Sequence, residues 1–229
     1  HGFYGVEGID VVILYPKGRV SPLQESQLTG LGGNITALEV DGSFDDCQRM
    51  AKAMLADADL RKKRPLSSAN SINIARWLPQ SVYYAWAAQQ LRLQSHRAGS
   101  LEEIAPLYVI PSGNLGNLAA GLFAWRRGLR TAGFIAATNR NDSFTRFVHT
   151  GDFYPQCSTL TPSNAMDVGD PSNRSRVEAL FNHDRNQLSN HLYSYSVSDE
   201  ATLNTIRRVY EERGYLLCPH SAVGYEAYQ

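Results

Sequence analysis

The chain has 229 residues, of which 43% are hydrophobic and 19% charged, and its 22 basic residues balance its 22 acidic ones. A zero net charge argues against a nucleic-acid-binding protein, and no apolar run approaches the length of about 18 residues that a membrane helix needs. We therefore expect a soluble globular protein with a substantial core and with neither a nucleic acid nor a membrane as its partner.

Cysteine usage predicts the compartment. The three cysteines are Cys47, Cys157 and Cys218, and no two of them form a C-x-x-C pair. An odd number of isolated cysteines indicates free thiols in a reducing compartment, so we expect the cytoplasm. No spacing of histidines and cysteines fits a metal site, and we expect no metal.

Strands and helices alternate along the chain. The first half has, in order, a strand at 10–15, a helix capped by Ser21, a strand at 34–40, a helix capped by Ser43, a helix from about Ser71 to Leu91 and a polar connection at 95–103. The second half has a strand from Leu107, a helix ending near Gly128, a strand at 132–139, a helix from Ser198 to Gly214 and a short strand at 215–219. This alternation predicts an α/β architecture of parallel sheets with helices on both faces.

A loop rich in glycine and asparagine, within "VIPSGNLGNLAAG", joins the strand at Leu107 to the next helix. Glycines let a ligand approach the backbone closely, and a helix N-terminus offers unpaired N–H groups, which together favour a phosphate. Any turn between a strand and a helix can carry glycine and asparagine, so this alternative stays open. The loop lacks both the Gly-x-Gly-x-x-Gly dinucleotide fingerprint and the Gly-Lys-Ser/Thr of a nucleotide P-loop.

A second polar segment lies at the expected start of the helix from Ser71. Asn70 and Ser71 offer hydrogen bonds there, and Arg76 adds a guanidinium that can bind a phosphate. The alternative is that Asn70 or Ser71 caps the helix and Arg76 is a surface charge. Asn73 is equally compatible with a structural role.

Six stretches carry a resemblance to a known family. They are "LYPKGRVSPLQESQLTGLGGNI", "SSANSINIARWLPQSVYYAW", "VIPSGNLGNLAAG", "FIAATNRNDSFTRF", "SNAMDV" and "CPHSAVGYEA", in this order. Together they resemble the threonine synthases, pyridoxal-phosphate enzymes of fold type II, over nearly the whole chain, and residues 183–196 match least. The resemblance implies a three-layer αβα fold of parallel sheets, similar to the tryptophan synthase β subunit and present here in part.

The resemblance also implies roles for particular residues. The phosphate of the cofactor, pyridoxal 5'-phosphate, is held by Gly113, Asn114, Leu115, Gly116 and Asn117. Ser221 occupies the threonine position of the family's Pro-His-Thr-Ala-Val-Gly motif, which places a hydroxyl against the pyridine nitrogen. The phosphate of the substrate is bound by Asn70, Ser71 and Arg76.

The implied reaction converts O-phospho-L-homoserine and water into L-threonine and phosphate, by elimination at Cγ and addition of water at Cβ. The family's Schiff-base lysine lies in a Phe-Lys-Asp motif that this sequence lacks. Lys17 occupies a position where the family has an ordinary basic or polar residue, so we reject it as that lysine. We therefore assign no catalytic residue to this chain. We expect the lysine upstream of His1 and no turnover by this fragment alone.

Two other functions stay open. One is another fold type II lyase, such as a serine/threonine dehydratase, although its substrate has no phosphate for the segment at 70–76 to bind. The other is a non-catalytic relative that binds the cofactor or a phosphate ligand.

We expect residues 1–95 to form a small mobile domain and 96–229 to form part of the large cofactor domain, with the site in the cleft between them. We also expect a monomer or weak homo-oligomer.

Overall fold

The computed structural model describes residues 2–98 and 104–229, and the chain divides into one compact unit up to Ser67 and another from Ser68 onward. The division falls before the predicted boundary near residue 95. Both the segment at 70–76 and the loop at 113–117 therefore lie in the second unit. The assignment of residues 1–95 to a small mobile domain stays a prediction.

The first unit contains a two-stranded parallel sheet with helices after each strand. Its elements are β1 (Val11–Pro16), α1 (Pro22–Thr29), β2 (Ile35–Val40), α2 (Phe44–Ala56) and α3 (Ala58–Lys63). Val11 of β1 lies opposite Ile35 of β2. Both predicted caps are confirmed, since the Ser21 side chain accepts from the Gln24 N–H and that of Ser43 from the Asp46 N–H.

The predicted helix from Ser71 to Leu91 is interrupted. The structure has α4 (Ile74–Trp77) and α5 (Ser81–Arg97) instead, with Pro79 between them. Proline lacks the backbone N–H that a continuous helix needs, and its ring clashes with the preceding turn. The predicted connection at 95–103 is wrong over its first three positions, because α5 continues to Arg97, and residues 99–103 lie outside the described part.

A three-stranded sheet forms the centre of the second unit. It consists of β3 (Leu107–Pro111), β4 (Gly133–Thr138) and β5 (Leu192–Ser196), in that order and all parallel. Every residue of the middle strand β4 is buried. The helices of this unit after α5 are α6 (Gly116–Arg126), α7 (Ser143–Thr150), α8 (Arg174–Leu180), α9 (Arg185–His191), α10 (Asp199–Arg213) and α11 (Pro219–Tyr228), with a short 3₁₀ turn at Asn164–Met166.

Both faces of this sheet are covered. Phe134 and Ala136 of β4 belong to the larger core cluster, together with Leu118 of α6. Ala137, the next residue of β4, belongs to a second cluster with Val223 of α11. Because successive residues of a strand point to opposite faces, the helices lie on both sides of the sheet, which confirms the three-layer arrangement.

Two strand predictions differ from the structure. The strand predicted at residues 215–219 is wrong, because residues 215–218 are irregular and Pro219 already begins α11. Tyr215 and Leu216 are exposed rather than paired in a sheet. The strand β5 was not predicted, although buried Leu192 and Ser194 alternate there with exposed tyrosines. Among the described residues, no helix is both long and apolar enough to cross a membrane.

Candidate cofactor and phosphate site

The glycine-rich loop leaves the carboxyl end of β3 and enters α6. Leu115 has a left-handed backbone with φ of 61°, directly before the first residue of α6. Ligands of parallel α/β sheets bind at this carboxyl edge, and a helix N-terminus favours an anion. The loop therefore lies where two general features, the carboxyl edge of a parallel sheet and a helix N-terminus, both favour an anion.

Two glycines of the loop are in contact with other segments of the chain. A Cβ atom on Gly113 would lie 2.8 Å from the Cα of Met166, which is a backbone atom. A Cβ atom on Gly116 would lie 2.9 Å from the Cβ of Ser71. Both positions require the absence of a side chain, so glycine here is set by close packing around the loop.

The donors of the loop fit a phosphate. Within residues 2–98 and 104–229, the backbone N–H groups of residues 113–117 have no hydrogen-bond acceptor. They lie at the N-terminus of α6, where the helix dipole adds a partial positive charge. The residue types present therefore suit the phosphate of pyridoxal phosphate, with the backbone as the source of the donors.

The two asparagine side chains of the loop hold the loop itself. Asn114 Nδ2 donates to Ser71 Oγ over 2.7 Å, and Asn114 Oδ1 accepts from the Ser172 N–H over 2.7 Å and from the Ser172 hydroxyl over 2.8 Å. The hydroxyl of Tyr84 donates to Asn117. Burial raises the pKa of Tyr84 far above its ordinary value, so the phenol stays protonated and keeps donating.

Ser221 lies in the first turn of α11. A Cβ atom on Gly224 would meet the ring of Pro111 at 3.2 Å, and Pro111 is the last residue of β3 before the loop. Residues three apart share a face of a helix, so Ser221 lies on the same side of α11 as Gly224, and it is exposed. Its hydroxyl lies 3.3 Å from the thiol of Cys218, and this hydrogen bond lowers the pKa of that thiol.

The segment at 70–76 contacts the loop. Ser71 accepts from Asn114 and donates to Asn70 Oδ1 over 3.2 Å. The expected position of Asn70 and Ser71 at the start of a helix is wrong, because α4 begins at Ile74 and Asn73 is its cap. Arg76 is exposed, and its guanidinium has no partner in the part of the chain that the structure describes.

A buried polar cluster behind the loop was not assigned from the sequence. Asp167 Oδ1 accepts from Asn139 Nδ2 over 2.9 Å, from Asn141 Nδ2 over 3.1 Å and from the Thr161 hydroxyl over 2.7 Å. Burial raises the pKa of Asp167, although these hydrogen bonds favour its charged form. The two asparagines follow the end of β4, and polar side chains at that edge were the available signal.

His220 connects α11 to the 3₁₀ turn behind Gly113. Its Nε2 accepts from the N–H of Ala165 over 3.2 Å. Burial lowers the pKa of His220, which favours the neutral ring that this contact needs.

Among the described residues, no group of histidine, cysteine or acidic side chains is arranged to hold a metal. Cys47, Cys157 and Cys218 are free thiols.

Three comparisons place the chain among known proteins. It is 45% identical over 227 residues to "Threonine synthase" of Escherichia coli (strain K12), across 99% of this chain and 51% of that protein. The crystal structure of threonine synthase from Escherichia coli superposes with a TM-score of 0.88 at 45% identity, over 99% of this chain and 51% of that one. The PLP-bound threonine synthase from Brucella melitensis gives a TM-score of 0.80 at 33% identity, over 98% and 52%.

The chain spans about half the length of the curated relatives that it matches. Its parallel sheets and its structural neighbours are those of fold type II. Residues 5–229 match the family described as "Pyridoxal-phosphate dependent enzyme". The chain therefore belongs to the family of pyridoxal-phosphate dependent enzymes.

Proposed function

We propose that this chain is part of a threonine synthase, which converts O-phospho-L-homoserine and water into L-threonine and phosphate. The observation that carries the proposal is the 45% identity to a threonine synthase over 99% of this chain. In this proposal the chain contributes part of the enzyme and has no turnover alone, because its sequence lacks the family's Phe-Lys-Asp motif.

The loop holds the cofactor phosphate in this proposal. The N–H groups of residues 113–117 donate to it, and Gly113 and Gly116 keep side chains out of the tightly packed turn. Ser221 presents its hydroxyl to the pyridine nitrogen, and a neutral hydroxyl leaves that nitrogen largely unprotonated. When bound, pyridoxal phosphate supplies an electron sink that makes the Cα proton of an amino acid acidic.

Asn70, Ser71 and Arg76 bind the substrate phosphate in this proposal. The exposed guanidinium of Arg76 is available to a phosphate, and the hydrogen bond between Ser71 and Asn114 brings the segment to the cofactor loop. The Cγ–O bond breaks and the phosphate leaves with the bonding electrons, so nearby donors and a positive charge stabilise the leaving group. Water then adds at Cβ, and we assign no proton-transferring residue to this chain.

The domain roles, the compartment and the oligomeric state are also part of the proposal. We expect residues 1–95 to act as the small mobile domain and residues 96–229 as part of the cofactor domain, with closure that excludes water at the wrong step. A cytoplasmic location and a monomeric or weakly oligomeric state complete the proposal.

The test uses the intact protein with pyridoxal phosphate and O-phospho-L-homoserine, with phosphate and threonine measured in the same samples. Equal release of both products supports a threonine synthase. Phosphate with 2-oxobutanoate in place of threonine would show a different lyase on this fold. Neither product, with saturable binding of the cofactor, would show a binding protein.

A further inference from the structure

Arg176, on α8, bonds directly to the backbone of the segment that we assign to the substrate phosphate. Its Nη1 donates to the carbonyl of Ser71 over 2.9 Å, and its Nη2 donates to the carbonyl of Ile72 over 2.5 Å. The same Nη1 donates to Asn173 Oδ1 over 2.6 Å. One guanidinium thus holds two consecutive carbonyls of that segment and a side chain at the start of α8.

The contacts of Arg176 continue into the cofactor loop. Asn173 is fully buried, and its Nδ2 donates to the carbonyl of Asn114 over 2.8 Å. Asn114 Nδ2 in turn donates to Ser71 Oγ over 2.7 Å. Ser71, Asn114, Asn173 and Arg176 therefore form a closed hydrogen-bonded ring, which we call the Arg176 bridge.

The bridge leaves little room for independent movement of the two segments. The Cα of Gly116 is so close to Ser71 that an added Cβ would lie 2.9 Å from the Ser71 side chain. Ser71 also donates to Asn70 Oδ1. A shift of Ser71 therefore changes both the cofactor loop and the position of Asn70.

No carboxylate in the part of the chain that the structure describes compensates the charge of Arg176. Among the described residues Arg176 forms no ion pair, whereas Arg174 on the same helix is paired with Glu178. A partly buried cation bonded only to carbonyl and amide oxygens creates a positive potential around it. Both proposed phosphate positions adjoin residues of the bridge, so an anion at either position gains from this potential.

We propose that Arg176 is a positioning residue that couples the cofactor-phosphate loop to the substrate-phosphate segment, so that the geometry and the affinity of both phosphate positions depend on it. The inference rests on the proposed function for the identity of the two phosphates. Arg176 acts through the carbonyls of Ser71 and Ile72 and through Asn173, and contacts neither phosphate itself.

The test uses the intact protein and two binding measurements that need no turnover. The first is the Kd for pyridoxal phosphate, from a titration of the apoprotein. The second is the Kd for inorganic phosphate on the cofactor-loaded protein, from calorimetry. We expect Arg176→Met to raise both constants by at least about fivefold, which is the low end of typical coupling between sites. Arg176→Lys keeps the charge but loses the fork of donors, and it should raise both constants in the same direction.

Two further variants separate coupling from a loss of stability. Arg174→Met removes an ion pair from the same helix and a contact with the Phe153 ring, so it should lower the unfolding temperature while both Kd values stay within about twofold. Asn114→Ala, in the cofactor loop, should weaken the binding of inorganic phosphate at the substrate-phosphate segment. Because both act through one ring, its combination with Arg176→Met should weaken that binding by less than the product of the single effects.

Several outcomes would overturn the inference. They are unchanged Kd values in both Arg176 variants, independent multiplication of the Asn114 and Arg176 effects, or a cofactor-loaded protein that binds no inorganic phosphate. If the unmodified protein binds both ligands but makes no threonine, the proposed reaction fails while the titrations still decide the coupling.

Discussion

At Gly113 of the loop, any side chain would meet the backbone of another segment. In the variant Gly113→Ala, the new Cβ would lie 2.8 Å from Met166 Cα, so one of the two backbones must move. Overpacking of this kind costs about 1–3 kcal/mol. We expect the Kd for pyridoxal phosphate to rise about tenfold, which is about 1.4 kcal/mol.

A titration of the intact protein measures this change. Gly2→Ala is the matched control, because a Cβ there would meet no atom within 4 Å, and its Kd should equal that of the unmodified protein. If Gly113→Ala bound the cofactor as tightly as the control, the loop would not hold the phosphate in the way we describe.

Arg76 carries the clearest residue-scale prediction for the substrate. Replacing it by Ala removes a charged donor from the proposed phosphate position, and hydrogen bonds to charged groups contribute about 1.5–3 kcal/mol. We expect Arg76→Ala to raise the KM for O-phospho-L-homoserine about tenfold or more, with little change in the Kd for pyridoxal phosphate. Steady-state kinetics on the intact protein provide the measurement.

Arg92 offers a control for the loss of a positive charge, since it is exposed on α5. Arg92→Ala should leave the KM unchanged. An unchanged KM in Arg76→Ala as well would return Arg76 to the alternative of a surface charge.

At the scale of elements, the contact between α11 and the 3₁₀ turn should depend on pH. The folded state lowers the pKa of His220 from its ordinary 6.5, so between the two pKa values the unfolded chain binds more protons. This contribution to stability is complete above 6.5 and is lost as the pH falls through the folded pKa. Protonation also removes the acceptor for the Ala165 N–H.

The measurement is the unfolding temperature of the intact protein from about pH 5 to about pH 8. His220→Gln keeps an acceptor that does not titrate, so its stability should fall less toward acid than that of the unmodified protein. The facing carboxyl of Asp167 has a raised pKa, so its contribution to stability has the opposite pH dependence. That contribution is lost as the pH rises above the unfolded pKa of 3.8 and through the folded pKa. His96→Gln, at an exposed histidine, should show the same dependence of unfolding temperature on pH as the unmodified protein. If His220→Gln also showed that dependence, the assignment to His220 would be contradicted.

Elements were predictable where the determining interactions are local in sequence. Ser21 and Ser43 cap the helices that they were predicted to cap, and Ser198 caps the helix that was predicted to begin there. Each serine bonds to a backbone N–H a few residues away. Pro79 separates α4 from α5, but the apolar pattern around it predicted a single helix. The apolar stretch at 215–219 predicted a strand, but these residues lead through the cap of α11 into its first turn instead of pairing in a sheet.

For the whole molecule, the alternation of strands and helices predicted the parallel sheets and the helices on both faces. It did not predict which loops meet. Arg176 and Ser71 are 105 positions apart, and Ser172 and Asn114 are 58 apart. Contacts between such distant residues depend on the packing of α8 beside the loop, which no local pattern contains. The roles given to residues 113–117, Ser221 and the segment at 70–76 remain predictions.

The central claim is that the whole enzyme breaks the Cγ–O bond of O-phospho-L-homoserine and adds water at Cβ. The most direct measurement is the reaction of the intact protein in water labelled with oxygen-18, followed by mass spectrometry of both products. The account predicts threonine with one heavy oxygen and phosphate with none, because the phosphate keeps its ester oxygen. Heavy oxygen in the phosphate, with homoserine in place of threonine, would show cleavage of the P–O bond and would contradict the account.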